Sequence, residues 1–84
     1  MERQKTFERL VQALGDAMNL PDVEISENTK LVDDLEADSV DFATILMELE
    51  EVFEIEIPDN TGEKISDATL GQITDFILKL KHEA

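Results

Sequence analysis

Residues 36 to 42 read EADSVDF and set one hydroxyl, Ser39, between the carboxylates of Asp38 and Asp41. Three chemistries are open to a serine in such a setting: nucleophile, member of a metal site, or acceptor of a group brought by another protein. Nucleophilic catalysis needs a base within hydrogen-bond reach and a fixed oxyanion site. The sole histidine, His82, lies in the last few residues of the sequence, where chains fray, and no G-x-S-x-G elbow surrounds Ser39. A hydrolase is not expected.

Calcium fares no better. With Asp34 as the first position of an EF-hand loop, Glu36 and Asp38 fall at the third and fifth, but Ser39 stands where the loop needs glycine and Ile45 where it needs the bidentate glutamate. No dedicated metal site is expected. A loose divalent-ion site on the acidic segment stays open, as does the plain reading of Ser39 as a first-turn helix residue, a position that suits a side chain able to bond locally to the backbone.

The elements that must position Ser39 follow from periodicity. Phe7, Leu10, Val11, Leu14 and Met18 form one helical stripe. Pro21 then opens a long connection, which Val23, Ile25, Leu31, Val32 and Leu35 should anchor to the core. Asp38 suits an N-cap, with Asp41 three residues on as its capping-box partner. The second helix therefore begins at about Ser39 and ends near Phe53 or Glu54, before Pro58. EIEI, at 54 to 57, alternates like a strand but has no partner, so it is read as loop. A short turn at Asn60 to Lys64 is possible, and a last helix starting between Ser66 and Thr69 carries Leu70, Ile73, Ile77 and Leu80. The prediction is an all-α fold: a small three- to four-helix bundle with a long connection between helices 1 and 2, formed by residues 1–84 as a single domain.

On the second helix, Phe42, Ile45, Leu46, Leu49, Val52 and Phe53 gather on a core face. With Phe42 at zero, Val40, Ala43 and Met47 project to about 160°, 100° and 140° and form a second, narrower apolar strip. Asp41, Thr44, Glu48, Glu50, Glu51 and Glu54 flank or continue it. Such a strip reads either as a docking surface whose carboxylates steer a partner, or as scattered surface residues that pack on the connection.

The chain carries 21 Asp and Glu against seven Lys and Arg, a net charge of −14. Between Asp22 and Asp59 there are 14 acids and one base, Lys30. Nucleic-acid binding is not expected, and partners should be basic. There is no cysteine, so a thiol, if the function needs one, must be brought in from outside. No apolar run long enough for a membrane span and no signal-peptide pattern are present, so a cytoplasmic monomer is expected.

The stretch DLEADSVDFATILMELEEVFEIEIPD resembles the signature of bacterial acyl carrier proteins, in which D-L-G-A-D-S-L-D precedes an acidic helix and an F-x-x-E-I-P-D exit. Asp34, Leu35, Ala37, Asp38, Ser39 and Asp41 match, as do Glu50, Glu51, Phe53, Glu56, Ile57, Pro58 and Asp59, with EKI at 63 to 65 continuing the likeness. The resemblance implies that Ser39 is the attachment point of a covalent phosphopantetheine, delivered from coenzyme A by a holo-acyl-carrier-protein synthase whose magnesium Asp38 helps to hold. The chain would then be a non-catalytic carrier of acyl thioesters in fatty-acid or related acyl and polyketide synthesis. Acyl-transferring and chain-elongating enzymes with basic patches would dock on Val40, Asp41, Met47, Glu48, Glu50, Glu51 and Glu54. Phe42, Leu46 and Ile65 are candidate lining residues for the acyl tail. Alternatives are a specialised or aminoacyl carrier, or an unmodified acidic helical protein that binds partners or divalent ions.

Four departures from the family pattern bear on partner choice. Glu36 replaces the usual glycine, Val40 a leucine, Thr44 a glutamate, and Asn60 to Gly62 a more acidic stretch. Lost charge on the docking face should reduce steering and discrimination more than modification itself.

Overall fold

The computed structural model describes residues 2–18, 20, 24–57 and 67–83. Among them are three helices and no strand: α1 (Glu2–Ala17), α2 (Ser39–Phe53) and α3 (Leu70–Glu83). This is the all-α architecture expected. The turn expected at Asn60 to Lys64, the anchor Val23 and the lining residue Ile65 lie outside the described residues.

The periodic leucines and isoleucines do what their spacing requires. Leu10 and Leu14 of α1, Ile45 and Leu49 of α2, and Leu70, Ile73 and Ile77 of α3 are buried in one core. Helix α1 packs on both α2 and α3. Its start is earlier than the apolar stripe indicated, at Glu2 rather than near Phe7, and in this added turn Arg3 has two acidic partners. The guanidinium pairs with Glu27 on the connection and with Asp75 on α3, the latter at 2.9 Å, and it also donates to the Gly71 carbonyl at 3.3 Å. Hydrogen bonds to Asp75 first, and to Glu27 second, push the Arg3 pKa above its ordinary value.

The connection is anchored as expected through Leu31 and Leu35, both buried. Val32 is a correction: it is 39% exposed. The backbone winds into a helix-like turn there, with Asp34 and Leu35 amides both donating to the Lys30 carbonyl at 3.1 Å. Residues four apart share a face of such a turn, so Leu31 and Leu35 point inward together and Val32 does not.

The connection also caps α3. The Leu70 amide donates to the Thr29 carbonyl at 2.8 Å and the Gly71 amide to the Glu27 carbonyl at 2.9 Å, so two first-turn donors of α3 are satisfied by the connection. Thr69 and Gln72 add a reciprocal capping box, at 3.2 and 2.9 Å. Gly71 lets the two segments approach closely: a Cβ there would lie 3.1 Å from the Glu27 carbonyl oxygen, and the connection would have to give by a few tenths of an ångström. The EIEI exit is irregular, as expected, and buries Ile55 and Ile57.

Candidate functional site

Ser39 is the first residue of α2 and is exposed. Its backbone is fixed from both sides. Ahead of it, Glu36 adopts a left-handed conformation, φ 58°, which turns the chain out of the connection while the Ala37 amide donates to the Leu31 carbonyl at 3.0 Å. Asp38 then extends, φ −110° and ψ −174°. Its Oδ1 accepts from the Asp41 amide at 2.9 Å, and Asp41 Oδ2 accepts from the Asp38 amide at 3.2 Å. The capping box inferred from the sequence is thus complete even with the short aspartate in the glutamate position. It fixes the carboxylates of the residues that flank Ser39 and Val40 in the chain.

The outer face of α2 carries the apolar strip in the open. Val40 is 72% exposed and Met47 69%, which sets aside the alternative in which they pack on the connection. Thr44, also exposed, donates its hydroxyl to the Val40 carbonyl at 3.2 Å. Glu51 and Glu54 are exposed, whereas Glu48 and Glu50 are half-buried. Glu50 has an internal duty that the sequence did not signal: its Oε2 accepts from the Ile57 amide at 3.0 Å, tying the exit segment back to the helix. Glu54 ends α2 in a left-handed conformation, φ 54°. Phe42 and Leu46 are half-buried against the core.

The C-terminal end of α2 has no basic residue of its own. Arg9 of α1 supplies one, donating to the Val52 carbonyl at 3.3 Å and lying 5.5 Å from the Phe53 ring centroid. A cation at that end complements the helix dipole.

The outer face of α2 thus combines an exposed serine on a capped helix start with an apolar strip bordered by carboxylates, on a small all-α domain. Residues 8–77 match the family model described as the phosphopantetheine attachment site. The chain is 33% identical to an acyl carrier protein of Rubrobacter xylanophilus over 94% of this chain and 95% of that one. It is 41% identical to an acyl carrier protein of Wolinella succinogenes over 84% and 91%, and 37% identical to one of Clostridium acetobutylicum over 84% and 90%. The chain belongs to the acyl carrier protein family. It has an acyl carrier role, and its cofactor is phosphopantetheine.

Proposed function

We propose that Ser39 carries the phosphopantetheine, and that residues 1–84 act as a single carrier domain modified by a separate synthase. The observation that carries this reading is the exposure of Ser39 at a helix start fixed by the Asp38–Asp41 box. The residues fit the group. A phosphodiester at this point meets the positive end of α2, where backbone N–H groups favour an anion. When bound, phosphopantetheine supplies the thiol that the chain lacks, on which acyl groups ride as thioesters.

This chain's own residues present, orient and steer. Ser39 Oγ attacks the pyrophosphate of coenzyme A, a phosphorus–oxygen bond to the nucleotide breaks, and the serine proton passes to a base of the synthase. Asp38, whose Oδ1 accepts from the Asp41 amide, would have its other carboxylate oxygen to offer to a magnesium ion held by the synthase, a hard ion that prefers oxygen ligands. Val40 and Met47 supply the surface that is desolvated on docking; Asp41, Glu51 and Glu54 steer basic partners, with Glu48 and Glu50 bordering them. Acyl-transferring and chain-elongating enzymes use the same face. Phe42 and Leu46 line the acyl tail from the core side. The chain works as a cytoplasmic monomer; among the described residues no helix is long and apolar enough to cross a membrane.

Intact-mass measurement after incubation with coenzyme A and a broad-specificity phosphopantetheinyl transferase tests the assignment. One phosphopantetheine per chain is expected in the parent protein and none in Ser39→Ala. A gain that persists in the variant overturns it.

A further inference from the structure

The far end of the molecule has the opposite electrostatic character. Glu2, Lys5, Thr6 and Arg9 follow one stripe of α1 and, with Lys81 of α3, line an open groove of about 440 Å³. Lys5, Arg9 and Lys81 form no ion pair among the described residues. Glu2, the groove's one acid, faces the His82 imidazole at 3.8 Å. Three of the seven Lys and Arg of a chain with 21 acids therefore meet around one cleft.

Its position is fixed by Arg9, which touches Val52 in the last turn of α2. Ser39 opens that helix 13 residues earlier, about 20 Å away along its axis. That is beyond the screening length of about 8 Å at physiological salt. Ser39 and its two neighbouring carboxylates are therefore screened from a ligand in the groove, whose nearest α2 acids are Glu51 and Glu54 beside Val52. The polar rim and open shape suit an extended charged segment better than an apolar small molecule, which would want an enclosed apolar pocket.

We infer that this groove is a second docking surface that receives an acidic peptide segment of a partner protein. The surface is distinct from the outer face of α2 and does not depend on which residue carries the cofactor. With a carboxylate-bordered outer face on α2 and a cationic cleft between α1 and α3, a partner that carries both complementary charges meets the carrier in one orientation rather than several.

Titration of the uniformly 15N-labelled full chain with a hexaglutamate peptide tests this. Saturable amide shifts are expected in residues 2–9 and 79–82 and should weaken with added salt. The Lys5→Gln/Lys81→Gln variant should bind about five- to tenfold more weakly, the loss expected for two exposed charge pairs, and Lys5→Arg/Lys81→Arg should bind as the parent does. Hexalysine should instead shift residues 38–54, equally in parent and variant, which also checks that the variant is folded. Absence of hexaglutamate shifts at the groove, or shifts unchanged in the glutamine variant, overturns the inference. Inorganic phosphate producing the same saturable shifts at matched charge would also overturn it, by assigning the groove to small anions.

Discussion

Asp38 and Asp41 hold each other's backbone amides, at 2.9 and 3.2 Å, across the single residue pair that contains Ser39. Two carboxylates therefore serve as structural caps while flanking Ser39 in the chain. Capping and charge are separable. Asp38→Asn keeps an acceptor for the Asp41 amide and should leave stability within about 0.5 kcal/mol, whereas Asp38→Ala should cost about 1 kcal/mol. Both should slow phosphopantetheine transfer if the charge matters to the synthase. Urea unfolding alongside transfer rates checks the split; a normal rate in Asp38→Asn would remove the proposed metal role.

Glu36 sits at φ 58°, where a side chain is strained and glycine is not. Glu36→Gly should raise stability by roughly 0.5–1 kcal/mol, the relief of left-handed strain exceeding the extra entropy that glycine brings to the unfolded chain. Glu36→Ala removes the charge but keeps the Cβ and should give no comparable gain. Denaturation midpoints of the pair distinguish backbone strain from charge.

Gly71 packs its Cα face on the connection, so Gly71→Ala would press a methyl group to within 3.1 Å of the Glu27 carbonyl oxygen and Cβ. The expected cost is about 1–3 kcal/mol. Hydrogen exchange should localise the damage to the Leu70 and Gly71 amides, whose acceptors lie on the displaced segment.

Met47 is 69% exposed and lies outside the hydrophobic core. Met47→Glu should leave stability within about 0.5 kcal/mol, as surface changes usually do, yet lower kcat/KM with the synthase by about tenfold, the equivalent of 1.4 kcal/mol of lost apolar burial. Equal rates for the parent and variant would show that the strip is not part of that interface.

The 14 acids and one base between Asp22 and Asp59 repel one another. Raising magnesium from zero to millimolar levels should therefore raise the melting temperature by several degrees, in line with the 4–8 °C that about 1 kcal/mol brings in a domain of this size. A melting temperature flat in both magnesium and sodium chloride would contradict this account.

Much of the scaffold was legible because its causes are local or periodic. The leucine and isoleucine spacing that marks α1, α2 and α3 needs only helical geometry, and the Asp38–Asp41 box spans three residues. Projecting one helix separated Val40 and Met47 from the core face, but whether they faced solvent or packed on the connection was settled only by their exposure in the fold. What stayed hidden depends on distant pairings. Arg9 reaches α2 across 43 positions, and Arg3 reaches α3 across 72; neither leaves a mark in a local window. Glu50 bends back to Ile57 only because the exit turns sharply at a left-handed Glu54, and Val32 faces outward because of a turn made by the carbonyl of Lys30. The missing glycine at 36 did signal an unusual backbone, but only through the family pattern.

Helix α1 leans on both of its neighbours through residues as fully enclosed as Leu10 and Leu14. It is the spine of the molecule, and the two other helices hang from it like covers. If the proposed acyl tail enters the interior, it would have to part α2 or α3 from α1. Substitutions on the inner side of α1 should accordingly cost the most stability, and those on the exposed side of α2 the least.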